Sequence, residues 1–272
     1  MIRDINKIRL TVPPISEQRA IAKILSDLDE KIELNHQMNK TLEAIAQVLF
    51  KRWFVDFEFP DEKGKPYKSS GGKMVDSESG DIPDGWEIKP LDRIADFLNG
   101  LALQKFPAVG EEYLPVIKIR ELNQGITEST DKASPDIDGA YIVNDGDILF
   151  SWSGSLQACI WCNGKGALNQ HLFKVTSANY PKWFYYQWVK FHLPEFQRIA
   201  QGKATTMGHI QRHHLSASLV AIPTERVFEK MNNVMVPLLD RIIVNNIETR
   251  KLSAIRDSLL PKLMSGEIRV AA

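Results

Sequence analysis

Cysteine is scarce. Cys159 and Cys162 are the only two in 272 residues, which excludes the paired-cysteine framework of a small secreted fold. Long apolar runs are missing too. No stretch approaches the ~20 residues that a membrane-spanning helix needs, and Met1-Ile2-Arg3-Asp4 does not open a basic-then-apolar leader. A cytoplasmic chain without membrane contact is expected. Net charge is absent as well, because 34 Lys and Arg balance 34 Asp and Glu. There is no phosphate-cradling Gly-Lys-Thr loop and no dinucleotide glycine fingerprint, which disfavours a cofactor-binding enzyme. What remains is an ordinary globular composition, 43% hydrophobic and 25% charged, long enough for one large domain or two.

Charge is uneven within the balance. Residues 120–150 carry Glu121, Glu128, Asp131, Asp136, Asp138, Asp145 and Asp147 against Arg120 and Lys132. Residues 185–220 carry Lys190, Arg198, Lys203 and Arg212 against Glu195, together with His192, His209, His213 and His214. A neutral protein with one basic face can still bind phosphates, since the field that matters is local.

The chain also repeats itself. A gapless self-match sets Val12-Pro13 on Ile222-Pro223, Leu28 on Leu238, Asn35 on Asn245, Leu42 on Leu252 and Leu49 on Leu259. In the first copy Ile21, Leu28, Asn35, Leu42 and Leu49 recur every seven residues, with Ile24, Met38 and Ile45 in an intermediate slot. In the second, Met231, Leu238, Asn245, Leu252 and Leu259 do the same, with Val234 and Ile255 between them. Such recurrence predicts one apolar seam per helix, buried against another helix. Asn35 and Asn245 are either buried register markers or residues of a solvated seam edge. Ser16 and Thr224 are expected N-caps, a first helix is expected over 16–53, and Pro237 predicts a break or kink in the second.

Between the copies, residues 58–84 are rich in Lys, Gly, Ser, Asp and Pro and read as a flexible linker. Residues 85–222 read as a compact domain of mixed helices and strands. Tyr141-Ile142-Val143 and Asp147-Ile148-Leu149-Phe150 flank the turn signal Asp145-Gly146, and 181–196 is helical. Its aromatics include Trp183, Phe184, Tyr185, Tyr186, Trp188 and Phe191. Phe184, Trp188 and Phe191 share one helix face, the spacing of a core stripe.

Several motifs imitate chemistry. Pro60-Asp61 with Glu87-Ile88-Lys89 resembles a metal-dependent nuclease pattern, but its halves fall on the linker and after a turn, whereas metal ligands need rigid support. Cys159-x-x-Cys162 lacks the second pair of a zinc site and reads as buried, inert thiols. His209 and His213 have helical metal-ligand spacing without a following glutamate base.

Other segments carry a family resemblance. Pro13-Pro14-Ile15-Ser16-Glu17-Gln18 opens the first repeat, and Leu49-Phe50-Lys51-Arg52-Trp53-Phe54-Val55-Asp56-Phe57 closes it. Ile82-Pro83-Asp84-Gly85-Trp86-Glu87, Asn144-Asp145-Gly146-Asp147-Ile148-Leu149 and Leu259-Leu260-Pro261-Lys262-Leu263-Met264-Ser265-Gly266 follow in order. The chain thereby resembles the specificity (S) subunits of type I restriction–modification systems. The resemblance implies an α+β fold, in which one mixed target-recognition domain is flanked by two long helices pairing as an antiparallel coiled coil. It implies a non-catalytic chain that reads one half of a bipartite double-stranded DNA target and docks modification (methyltransferase) and restriction subunits. S-adenosylmethionine, ATP and Mg would belong to those partner subunits, with no cofactor and no metal on this chain. The family pattern has two recognition domains and this sequence has one, so a truncated form is expected. Its segments are a remnant tail (1–15), a central helix (16–57), the linker (58–84), the recognition domain (85–222) and a distal helix (223–272). Ile5, Ile8 and Leu10 in the tail, or the helices themselves, would support a homodimer.

DNA-reading candidates follow from side-chain chemistry, with Arg and Lys suited to guanine, Asn and Gln to adenine, and hydroxyls to phosphate. They are Lys118, Arg120 and Asn123; Ser151, Ser153 and Ser155; Asn169, Gln170 and His171; and Lys203, Thr205, Thr206, His209, Arg212 and His213. The basic last group is the favoured surface. Helix pairing is assigned to Leu28, Asn35, Leu42, Leu49, Leu238, Asn245, Leu252 and Leu259. The competing readings are an enzyme (a nuclease using Asp61, Glu87 and Lys89, or a small methyltransferase) and a scaffold that binds only proteins.

Overall fold

A computed structural model describes residues 12–202 and 208–270. In chain order the elements are α1 (Ile15–Phe50), β1 (Met74–Val75), β2 (Ile82–Pro83), β3 (Glu87–Pro90), α2 (Leu91–Ile94), β4 (Asp96–Asn99), β5 (Leu114–Ile117) and α3 (Ile119–Gln124). There follow β6 (Lys132–Ala133), β7 (Ile142–Val143), β8 (Ile148–Ser151), β9 (Ala158–Ile160), β10 (Gly166–Leu168) and β11 (Leu172–Thr176). The chain ends with α4 (Lys182–Gln201), α5 (Arg212–Ala217), β12 (Leu219–Ile222) and α6 (Glu225–Ser265). It divides into two compact units, one holding residues up to Lys40 together with Val244 onward, the other Thr41–Ile243. The division cuts through both long helices, not at the compositional boundaries.

Both seven-residue series form long helices, with one shift in the seam. The covered positions of α1 run Ile21, Leu25, Leu28, Ile32, Asn35, Asn39, Leu42 and Ala46, in alternating steps of four and three. In α6 Met231, Met235, Leu238, Ile242 and Asn245 do the same. Of the expected intermediate residues, Ile24, Ile45, Val234 and Ile255 are 36–46% exposed, while Met38 is partly covered. At ~3.6 residues per turn, positions three and four steps on lie on opposite flanks of a heptad residue. Which flank is covered depends on where the partner lies, and periodicity within one helix does not contain that.

Three end signals also differ. The carbonyl of Pro14 accepts the first helical bond of α1, from Gln18 N–H at 2.9 Å, so Ser16 lies inside the first turn and does not cap it. Thr224 does precede α6, and its carbonyl accepts from Phe228. Pro237 does not break α6. Pro237 and Asn233, whose carbonyl loses its donor, are both exposed, so that carbonyl is open to solvent. The first helix gives way at Lys51–Val55 to a π-turn, not at residue 53.

Within the first unit the helices pair antiparallel. Arg269 donates to Glu17 at 2.6 and 2.7 Å, Arg256 to Asp29 at 2.8 Å, and Lys31 lies 3.1 Å from Glu248. Asn35 and Asn245 are fully buried, so the solvated-edge reading fails. Asn35 donates to Glu248 at 2.9 Å, Asn245 to Asn39 at 2.8 Å, and Asn39 to Asn246 at 2.7 Å. A buried amide network of this kind penalises any slipped register, because a slip strands polar groups in the seam. The Glu17 carboxyl is held below its ordinary value, chiefly by the Arg269 hydrogen bond.

The second unit is built on two four-stranded sheets, β6-β5-β10-β7 and β4-β11-β8-β9, with the small pairs β1-β2 and β12-β3. Among the described strands, only β5 and β10 pair in parallel. Helix α4 buries Trp183, Phe184, Tyr185, Tyr186 and Trp188. Phe191, expected in the same stripe, is 45% exposed and touches Trp188 at its edge, 5.4 Å between ring centres. Residues 58–84 are largely exposed but held at defined points, contrary to a freely flexible linker. Phe59 is 3% exposed and stacks on Tyr67 at 4.6 Å and Trp86 at 5.1 Å. Gly72 N–H meets the Tyr67 carbonyl at 2.8 Å, and a Cβ there would lie 2.6 Å from that oxygen, so only glycine closes this turn. Two aromatics among many polar residues, Phe59 and Tyr67, anchor the segment on Trp86, which an averaged composition conceals.

Candidate nucleic-acid interface

One short loop joining the two four-stranded sheets, residues 169–171, leaves β10 of one and enters β11 of the other. Three elements clamp its backbone. Asn169 N–H donates to the Ile117 carbonyl at the end of β5, and Gln170 N–H to the Leu101 carbonyl beyond β4. Trp152, just past β8, donates its indole N–H to the Gln170 carbonyl at 3.2 Å and to Asn99 Oδ1 at 2.9 Å. The approach is close enough that a Cβ on Gly100 would fall 2.2 Å from the Asn169 carbonyl oxygen.

Around this loop opens a groove of about 490 Å³, whose polar walls come from Gln104, Lys118, Asp131, Lys132, Asn169, Gln170 and His171. Four of the sequence candidates thus converge on one surface. The Lys118 ammonium hydrogen-bonds Asp131 and holds that carboxyl below its ordinary value. Lys132 lies 3.9 Å from the centre of the Tyr113 ring, a cation–π contact that leaves its charge facing solvent. Behind the loop, Ser153 Oγ lies 3.0 Å from His171 Nδ1, and Ser153 bridges backbone to His209. The Trp152 ring lies 5.9 Å from His171, 6.0 Å from Phe173 and 6.3 Å from His209.

The remaining described candidates do not line the groove. Ser151 is fully buried, donating to the Ser155 carbonyl at 2.6 Å and accepting from Gln157 N–H at 2.9 Å. It closes a loop and is not a surface hydroxyl; Ser155 is exposed but outside the groove. Arg120 binds the buried Glu121 at 2.7 Å and the Ser129 carbonyl at 2.9 Å. Asn123 is exposed on α3 and donates to the Ile119 carbonyl. Arg212 donates to the Phe97 carbonyl at 3.0 Å and lies over the Phe173 ring. His213 is exposed and stacks beside His214, ring centres 3.9 Å apart. Lys203, Thr205 and Thr206 lie outside the described residues, as do Ile5, Ile8 and Leu10. Gln104, Lys132, Trp152 and Asn99 were not singled out from the sequence. Each sits far along the chain from the 169–171 loop, and only the crossing of strands brings them together.

The catalytic look-alikes do not assemble. Asp61 accepts from the N–H groups of Lys63 and Lys65, both at 2.8 Å, as a turn-forming carboxylate, and Lys89 pairs with Glu87 at 2.9 Å. Burial pushes the Cys159 thiol up to about 12, so it stays neutral. Among the described residues no group of three or more His, Cys, Asp or Glu could hold a metal ion, and no helix is long and apolar enough to cross a membrane.

The model of the type I restriction modification DNA specificity domain matches residues 2–44 and 83–255, both the helical repeat and the sheet-bearing segment. The chain belongs to this family. The specificity-family chain is 30% identical over 283 residues to the type I restriction enzyme MjaIX specificity subunit of Methanocaldococcus jannaschii, a match covering 98% of this chain and 62% of that protein. It is 24% identical to the HindI specificity subunit of Haemophilus influenzae, over 97% of this chain and 70% of that one. Its fold is similar to the crystal structure of a type I S subunit from M. genitalium, with a TM-score of 0.52 and 17% identity, covering 92% of this chain and 61% of the other. The chain therefore spans roughly three-fifths of the length of the first of these relatives and of the solved structure.

Proposed function

We propose that this chain is a DNA-recognition subunit of a type I restriction–modification complex, reading one half of a bipartite double-stranded target. The observation that supports this reading is the groove at the sheet junction. There the amides of Gln104 and Gln170, able to read base edges, share a wall with ammonium groups (Lys118, Lys132) able to hold phosphates, while Asn169 is buried and its Oδ1 accepts from His171 N–H. In this reading the chain is itself non-catalytic. Modification and restriction subunits would supply the chemistry and carry S-adenosylmethionine, ATP and Mg. A second copy of the chain is a further proposed partner. Exposed apolar residues on the long helices, Ile24, Leu34, Val244 and Ile255 among them, are the surface for it.

Methylome mapping of cells carrying the chain with its modification subunits tests the function. The expected result is a methylated motif that disappears when the chain is deleted and changes when groove residues are exchanged. Methylation that persists unchanged without the chain would refute the proposal. Light scattering across a dilution series tests the second copy, and a monomer throughout would remove it.

A further inference from the structure

The groove holds one amide whose orientation is fixed by a relay behind it. Gln170 is half-buried, and its Nε2 lies 3.4 Å from His171 Nε2. An amide NH2 can only donate, so His171 Nε2 accepts and the imidazole proton sits on Nδ1. From there it is donated to Ser153 Oγ, 3.0 Å away and 3% exposed. The imidazole is held in place by the Trp152 ring, itself tied by its indole N–H to the Gln170 carbonyl. The glutamine is thereby anchored at both its backbone and its side chain.

This arrangement leaves a defined pair of groups for a ligand. One N–H of the Gln170 amide goes to His171. The second N–H and Oε1 remain, and Oε1 accepts no hydrogen bond among the described residues. A neighbouring donor and acceptor complement the N7 acceptor and N6 donor of adenine in the major groove, whereas guanine presents two acceptors there and would set O6 against Oε1. A freely turning amide could offer the pair in either order; the histidine acceptor fixes one.

We propose that Gln170 reads an adenine in the target half-site, with His171 and Ser153 as positioning residues that hold its amide in the reading orientation. This rests on the proposed DNA-recognition function and adds to it one base, one reader and a relay.

The test is selection of a randomised duplex library by the full chain, comparing the parent with Gln170→Ala, Gln170→Glu and Ser153→Ala. Circular dichroism checks the fold of each. The parent is expected to select a sequence with an adenine at one position where Gln170→Ala loses the preference by roughly 5- to 150-fold, the range of one bidentate pair. The other positions should be unchanged. Gln170→Glu should turn that position toward cytosine, whose N4 donor suits a carboxylate. Ser153→Ala should relax the same position only, and Ser153→Thr, which keeps the hydroxyl, should restore it. A merely structural Ser153 would instead lower affinity at all positions alike. Uniform loss of affinity, or relaxation at a G·C position, would overturn the inference while leaving DNA recognition standing. A parent chain with no sequence preference would overturn both.

Discussion

Ser151 and His192 show how polar side chains chosen for their chemistry are committed elsewhere once the chain folds. The Ser151 hydroxyl closes the 151–157 loop with two short hydrogen bonds and no exposure. Ser151→Ala leaves a buried backbone N–H without its acceptor, so we expect a loss of about 1–3 kcal/mol in urea unfolding. DNA affinity of the folded variant should be unaltered, and parent-like stability would show the hydroxyl to be idle. His192 Nε2 lies 3.0 Å from the Leu219 carbonyl, and burial depresses its pKa below 6.5. The neutral form is therefore the folded form. Its contribution is complete above the unfolded pKa of about 6.5 and is lost as pH falls through the lower folded value. Urea midpoints should accordingly decline below about pH 6.5, and less so in His192→Gln; equal declines in both would assign the effect to other groups. Arg212, singled out from the sequence as a phosphate contact, is occupied by the Phe97 carbonyl and the Phe173 ring. Its removal should unseat α5 more than it changes salt dependence.

The two long helices were legible as elements because a seven-residue recurrence survives any context, whereas the burial of Asn35 and Asn245 was not, since the sequence left a solvated seam edge equally open. Nor was the flank of the seam, since Ile24 and Leu25 are equally apolar and only the partner's position decides between them. The break expected at Pro237 does not occur, for a related reason. A proline's cost depends on whether the orphaned carbonyl can reach water, and at Asn233 it can. Strand existence was readable from Ile148-Leu149-Phe150, but the parallel pairing of β5 with β10, and with it the groove, rests on contacts between distant segments. We expect Pro237→Ala to stabilise the chain by about 1–3 kcal/mol in urea unfolding, since alanine restores the missing N–H to α6. Destabilisation would mean that α6 requires a bend the proline supplies.

At the scale of the whole molecule, the balance of 34 basic and 34 acidic residues is carried through into local pairing. Within the acid-rich stretch Glu121 is bound by Arg120, Asp131 by Lys118, and Asp147 lies 3.1 Å from Lys174. Three of the seven acids are thus neutralised by pairing, and the groove, where Asp131 offsets Lys118, is not a strongly cationic one. DNA binding should then rest on few phosphates. Each neutralised phosphate contributes about 0.9 to the slope of log K against log salt, so we expect a shallow slope of about 2–4 in magnitude. Lys132, which among the described residues pairs with no carboxylate and lies over the Tyr113 ring, should account for about one unit of it, read from Lys132→Ala. Asp131→Asn should act in the opposite sense, because it frees the Lys118 ammonium for phosphate and so tightens binding and steepens the slope. A steep slope in the parent, left unmoved by both substitutions, would place the phosphate contacts on cations outside the groove.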